Sequence, residues 1–186
     1  MANTFRVILD ACVMLPQNLN NLFLTLADDG MFTPVWSSDL LNEVERNLVQ
    51  RFNATPSQAA HRVRHMRRAF PHAEDHCAGY AEVIDSMTNH PKDRHVLAAA
   101  VTSRAAMIVT ANLKDFPAQA LAPYGIEAVH PDDFLLDQLA LDPHRVMEAL
   151  ATVAHRNRMP PQTVWELREA LRQLTPKFAG AISELT

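Results

Sequence analysis

FRVIL (5–9), AMIVT (106–110) and IEAVH (126–130) are short apolar runs, each followed by a polar or acidic residue or by a turn. Such runs become strands buried on both faces, and they are separated here by longer segments with helical spacing. Leu19, Leu22, Phe23 and Leu26 carry that spacing after Pro16, with Gly30 placed to end the helix. Strands alternating with helices imply a parallel α/β sheet whose strand ends share one edge. At 186 residues and 48% hydrophobic, the chain can bury one core and carry a small helical appendage.

MFTPVW supplies a further strand, and Ser37, Ser38 and Asp39 offer N-caps for a helix through LLNEVERNLVQRF. Thr55, Pro56 and Gln58 form a capping box that predicts a helix to about Phe70. Another helix is expected from about Arg94 to Arg104. After residue 130 no strand pattern remains, and Asp142-Pro143 and Pro160-Pro161 read as helix starts. The expected division is an α/β domain over 1–130 and a helical extension over 131–186.

Several function classes are disfavoured. A formal charge of −4 does not suit general polyanion binding, so any nucleic-acid contact must be local. No apolar run approaches the roughly 18 residues of a membrane span, and the N-terminal stretch lacks a signal-peptide pattern. Two cysteines without a CxxC fit a reducing cytoplasm. Four ungrouped glycines exclude a P-loop or a dinucleotide fingerprint. The His61/His65 and His72/His76 pairs lack HExxH and a third-ligand motif, which argues against zinc. Cys12 stands where a haloacid-dehalogenase phosphatase needs its second aspartate, and it reads as a small core residue.

The candidate chemistry lies in scattered acids. Open α/β sheets bind ligands at the carboxyl ends of their strands. Asp10 follows one such end, while Thr110, Asn112 and Asp115 follow another. Glu43 in the first turns of its helix and Asp93 in NHPKDRHVLAAAV (89–101) can point into the same crevice. Crowded carboxylates resist ionisation unless a cation compensates them, and hard oxygen donors favour Mg²⁺ or Mn²⁺. One or two such ions can serve phosphodiester cleavage. Each acid also has a structural explanation: Asp93 as an N-cap, Glu43 as a solvated acid, Asp115 as a turn residue. Asp10 is harder to explain this way, because a charge straight after a buried strand needs compensation.

VILDACVML, SSDLLNEVERNL, KDRHVLAAAV and VTANLKDF together resemble the successive acidic motifs of PIN-domain ribonucleases over residues 5 to about 130. The resemblance extends to VapC-like toxins, including those with a helical C-terminal extension. It implies a PIN-like parallel sheet flanked by helices and Mg²⁺- or Mn²⁺-dependent cleavage of RNA, restrained by a cognate antitoxin. Carried over, Asp10, Glu43, Asp93 and Asp115 become the catalytic metal-site acids, with Thr110 and Asn112 as supporting polar groups. The final family acid varies in position, so Asp115 is its least constrained member.

HRVRHMRR (61–68) puts Arg62, Arg64, Arg67 and Arg68 on one predicted helix as an RNA-binding patch. A solvated face or a contact for an acidic partner are its alternatives. A non-catalytic RNA-binding or regulatory PIN-like module and a DNA or flap nuclease are the competing functions. Three roles are open to the extension: binding the antitoxin, shaping substrate choice, or building a homodimer. Its Trp165 and Leu167 are expected to pack in the core.

Overall fold

A computed structural model describes residues 5–156 and 161–184. Four parallel strands form one sheet in the order β2-β1-β3-β4, with β1 Arg6–Leu9, β2 Thr33–Val35, β3 Met107–Val109 and β4 Glu127–Val129. Ile8 pairs with Val35 on one side and Ile108 on the other, and Ile108 pairs onward with Ala128. Val7, Ile8 and Leu9 are fully buried, as the uninterrupted apolar run requires of a central parallel strand. Because all pairings are parallel, Asp10, Trp36, Thr110 and His130 leave the sheet at the same edge.

The crossovers supply α1 Ala11–Met14, α2 Gln17–Asp28, α3 Ser38–Arg51, α4 Pro56–Ala69, α5 Tyr80–Val83, α6 Arg94–Ser103 and α7 Ala118–Leu121. Gly30 ends the α2 turn at φ 78°, a conformation cheap only for glycine. Ser37 Oγ accepts from Leu40 N at 3.2 Å to start α3. Thr55 and Gln58 form the reciprocal capping box of α4. In α6, Val96, Leu97 and Ala98–Ala100 are all buried, and the small alanines let the helix lie close against β1 and β3.

Beyond β4 come α8 Pro131–Leu141, α9 Pro143–Arg156, α10 Val164–Leu171 and α11 Pro176–Ser183. The start expected at Pro143 is α9. Pro160 lies outside the described residues, and the helix beyond it begins at Val164, capped by a Thr163–Glu166 box. The extension shares the core of the sheet region. Phe134 of α8 stacks on Phe23 of α2 at 5.3 Å and meets Phe32 edge-on at 5.3 Å, while α9 lies along α2. Asp132 is buried and accepts from Lys177 N at 3.1 Å and Phe178 N at 2.8 Å, fastening α11 to α8. Leu167 is fully buried, as expected. Trp165 is not: it is 62% exposed, because Leu167 and Leu171, four apart, define the inward face of α10. Among the described residues, no helix is long and apolar enough to cross a membrane.

Candidate metal centre

Asp10 sits at the end of β1 and begins α1. One carboxylate oxygen, Oδ1, accepts from Ala11 N at 2.7 Å. The other, Oδ2, accepts from Thr110 Oγ1 at 2.7 Å and from the Cys12 thiol at 3.1 Å. Thr110 is fully buried, and its Oγ1 accepts from Asn112 N at 3.0 Å, so the loop after β3 is tied to the end of β1. Burial pushes the Asp10 carboxyl above its usual range despite these donors, and Glu43 adds to the rise. Cys12 is half-buried and part of this link, accepting from Ala111 N at 3.3 Å. Burial and the Asp10 charge push its thiol up to about 12, which removes it as a nucleophile.

Asp93 occupies the residue before α6, yet its side chain makes no capping hydrogen bond. Its backbone, at φ −110° and ψ 10°, closes a 3-10 turn over Pro91–Asp93 instead of the extended geometry of an N-cap. The carboxylate is thereby free of the helix. Burial raises its pKa, and Asp10, Asp115 and Glu43 raise it further, so the other three acids all bear on Asp93.

Asp115 ends a 3-10 turn over Leu113–Asp115. His90 N donates to the Asp115 carbonyl at 3.2 Å and Asp93 N to the His90 carbonyl at 2.9 Å, joining the two loops. One donor atom from each of His90, Asp93 and Asp115 lies within 4.8 Å of the others. Asn112 is exposed beside this cluster in sequence and contributes its backbone amide to Thr110.

Glu43 sits one turn into α3, with His95 Nε2 at 3.4 Å from Oε2 and Asn47 Nδ2 donating to Oε1 at 3.4 Å. The His95 contact holds the Glu43 carboxyl below its usual range against the opposing effect of burial. Burial disfavours the His95 imidazolium, but Glu43 outweighs it and the histidine's pKa is raised. The contact is a long ion pair between two half-buried groups.

The basic helix divides by role. Arg62 donates to the carbonyls of Leu15 at 3.1 Å and Met14 at 2.7 Å, satisfying the C-terminus of α1. Burial lowers its pKa to about 10. Arg67 forms a two-point pair with Glu74 at 2.7 and 3.1 Å. Arg64 and Arg68 are exposed and make no hydrogen bond or ion pair with a described residue.

His90, His95, Asn47 and Cys12 do not stand out as site residues in the sequence. The available signal is their spacing: His90 stands three residues before Asp93, Asn47 four after Glu43 and Cys12 two after Asp10. The donor set of hard carboxylate oxygens with one imidazole, at the carboxyl edge of a parallel sheet, fits a divalent cation.

Residues 6–114 match the family model described as a PIN domain. The chain belongs to the PIN-domain family. Residues 131–184 match a second model, described as the VapC50 C-terminal domain. A Mycobacterium tuberculosis (strain ATCC 25618 / H37Rv) protein named "Putative ribonuclease VapC50" is 50% identical over 107 residues, 58% of this chain and 63% of that protein. The matched stretch therefore spans less than two-thirds of that relative. No solved structure matches the chain. The molecule is an α/β PIN-domain chain with a VapC-like helical C-terminal extension.

Proposed function

We propose that this chain is a metal-dependent endoribonuclease and that it acts as the toxin of a toxin–antitoxin pair. The observation carrying the reading is the crowding of donor atoms from His90, Asp93 and Asp115 within 4.8 Å, where burial, with Asp10, Asp115 and Glu43 adding to it, lifts the Asp93 carboxyl above the usual range. A divalent cation relieves that crowding. The similarity to a protein named as a ribonuclease gives independent support.

In this reading Asp10 and Asp93 hold the ion, Mg²⁺ or Mn²⁺, and Glu43 and Asp115 complete its shell directly or through water. Such an ion supplies Lewis acidity that activates water and offsets charge on the departing oxygen. The chain's own contribution is orientation. Thr110 and Cys12 hold the Asp10 carboxylate, His95 and Asn47 hold Glu43, and the His90–Asp115 backbone bond keeps two loops together. Asn112 braces Thr110 through its amide.

RNA phosphates are met by Arg64 and Arg68, while Arg62 and Arg67 keep the helix in place. We further propose that residues 1–130 form the nuclease unit and 131–186 a partner surface, for the antitoxin or for a second copy in a homodimer. The exposed Trp165, with the Arg168 guanidinium 5.8 Å from its ring, supports that role. The protein works in the cytoplasm, away from membranes.

The test is incubation of the purified chain with a panel of RNAs and with DNA strands of the same sequences, with Mn²⁺ or Mg²⁺ and then with chelator. Discrete RNA cleavage that chelator abolishes, with DNA spared, is the expected result. Equal cutting of DNA contradicts the ribonuclease assignment. No cleavage of any RNA by the folded, antitoxin-free chain puts a non-catalytic RNA-binding module in its place.

A further inference from the structure

We propose that His90 is a nitrogen ligand of the metal centre and shifts its preference from Mg²⁺ toward Mn²⁺. The inference rests on the metal-dependent reading above and adds a ligand of different chemistry to its acids.

His90 Nδ1 is 3.5 Å from Asp93 Oδ2, and donor atoms of His90, Asp93 and Asp115 converge within 4.8 Å. Ligands about 2.1 Å from one ion stand about 3 Å apart in adjacent octahedral positions and about 4.2 Å apart in opposite ones. The His90–Asp93 pair is already near the adjacent spacing. All three donor atoms lie within 4.8 Å of one another, close to the span of one coordination sphere, and the His90 side chain, 45% exposed, has room to adjust.

The backbone supports the same assignment. Asp93 N donates to the His90 carbonyl at 2.9 Å and His90 N to the Asp115 carbonyl at 3.2 Å, so these three residues hold one another in register. Asp93 spends none of its carboxylate on the helix it precedes. The arrangement gathers two carboxylates and one imidazole from two loops.

The chemical consequence follows from ligand softness. Mg²⁺ takes oxygen donors, retains several waters and gains little from imidazole, whereas Mn²⁺ and later divalent metals accept nitrogen readily. An all-acid site would leave the choice of ion to supply and geometry. His90 biases it.

Electron spin-echo spectroscopy of Mn²⁺-loaded protein reads the ligand directly, without any activity assay. The wild type should show coupling to one coordinated ¹⁴N. His90→Ala and the more conservative His90→Asp should both lose it, and His95→Gln, altered at the neighbouring Glu43 contact, should keep it. By calorimetry, His90→Asp should weaken Mn²⁺ binding about tenfold relative to Mg²⁺. Mn²⁺ bound stoichiometrically without nitrogen coupling overturns the inference and leaves the nuclease reading intact. Coupling that survives both His90 substitutions also overturns it. Failure of the wild type to bind Mn²⁺ overturns the inference, and only failure to bind Mg²⁺ as well overturns the nuclease reading with it.

Discussion

Thr110 Oγ1 donates a 2.7 Å hydrogen bond to Asp10 Oδ2 across a sequence separation of 100 residues. This bond joins the ends of two adjacent parallel strands at the edge where the acids gather. Thr110→Val keeps the shape and removes the donor. Among the described residues Asp10 then retains Cys12 and Ala11 as donors, so its carboxyl moves further up and accepts a cation less readily. The expected loss is about 1–3 kcal/mol of stability, read from denaturant melts, together with weaker Mn²⁺ binding by calorimetry. Unchanged Mn²⁺ affinity would show that the bond serves only the fold.

Asp93→Asn should stabilise the metal-free protein at neutral pH. A carboxyl whose folded pKa is raised binds protons in the folded state that the unfolded chain has already released, so stability falls as pH rises through that window. Asparagine removes the repulsion without removing a cap bond, since Asp93 makes none. In chelator the variant should melt above the wild type at neutral pH, with the gap closing as the pH falls below the elevated Asp93 value. Saturating Mn²⁺ should reverse the order.

His95 should titrate above the ordinary 6.5 in the metal-free protein, because Glu43 outweighs the effect of burial. A raised histidine contributes stability that is complete below its unfolded pKa and lost as pH rises through its folded one. NMR of the ring protons in wild type and Glu43→Gln checks this: the substitution should bring the midpoint down. An unmoved midpoint would assign the rise to another neighbour.

Arg62 and its helix neighbours should separate cleanly. Arg62→Ala strips charged donors from two carbonyls and should cost about 2–3 kcal/mol. Arg64→Glu with Arg68→Glu should leave stability within about 1 kcal/mol, while weakening RNA binding and lowering its salt slope by about one for each phosphate no longer neutralised. RNA affinity and salt dependence unaffected by the double reversal would exclude this face from RNA recognition.

The sheet was legible because its central strands are short, largely apolar runs with a polar successor in view: FRVIL before Asp10, AMIVT ending in Thr110. Their supports were not. Arg62 lies in a run of like charges, and nothing in that run says that one long side chain turns back to the carbonyls of Met14 and Leu15, 48 and 47 residues earlier. Cys12 looked like filler because its role depends on what lies beyond the neighbouring strand, here Ala111, as well as on Asp10 two residues before it. Asp93 matched an N-cap by type and position, and only its backbone dihedrals separate the two roles. Trp165 followed the general burial of large aromatics, although the Leu167–Leu171 spacing already pointed its helix the other way.

The most direct test compares wild type and Asp93→Asn on total cellular RNA, with Mn²⁺ or Mg²⁺ and with chelator, mapping every new end. The variant keeps the fold's hydrogen bonds and loses a charged metal donor. Discrete cleavage by the wild type that requires metal and is abolished in the equally folded variant is the predicted result. Full metal-dependent cleavage by Asp93→Asn would contradict the assignment of this crevice as the catalytic centre.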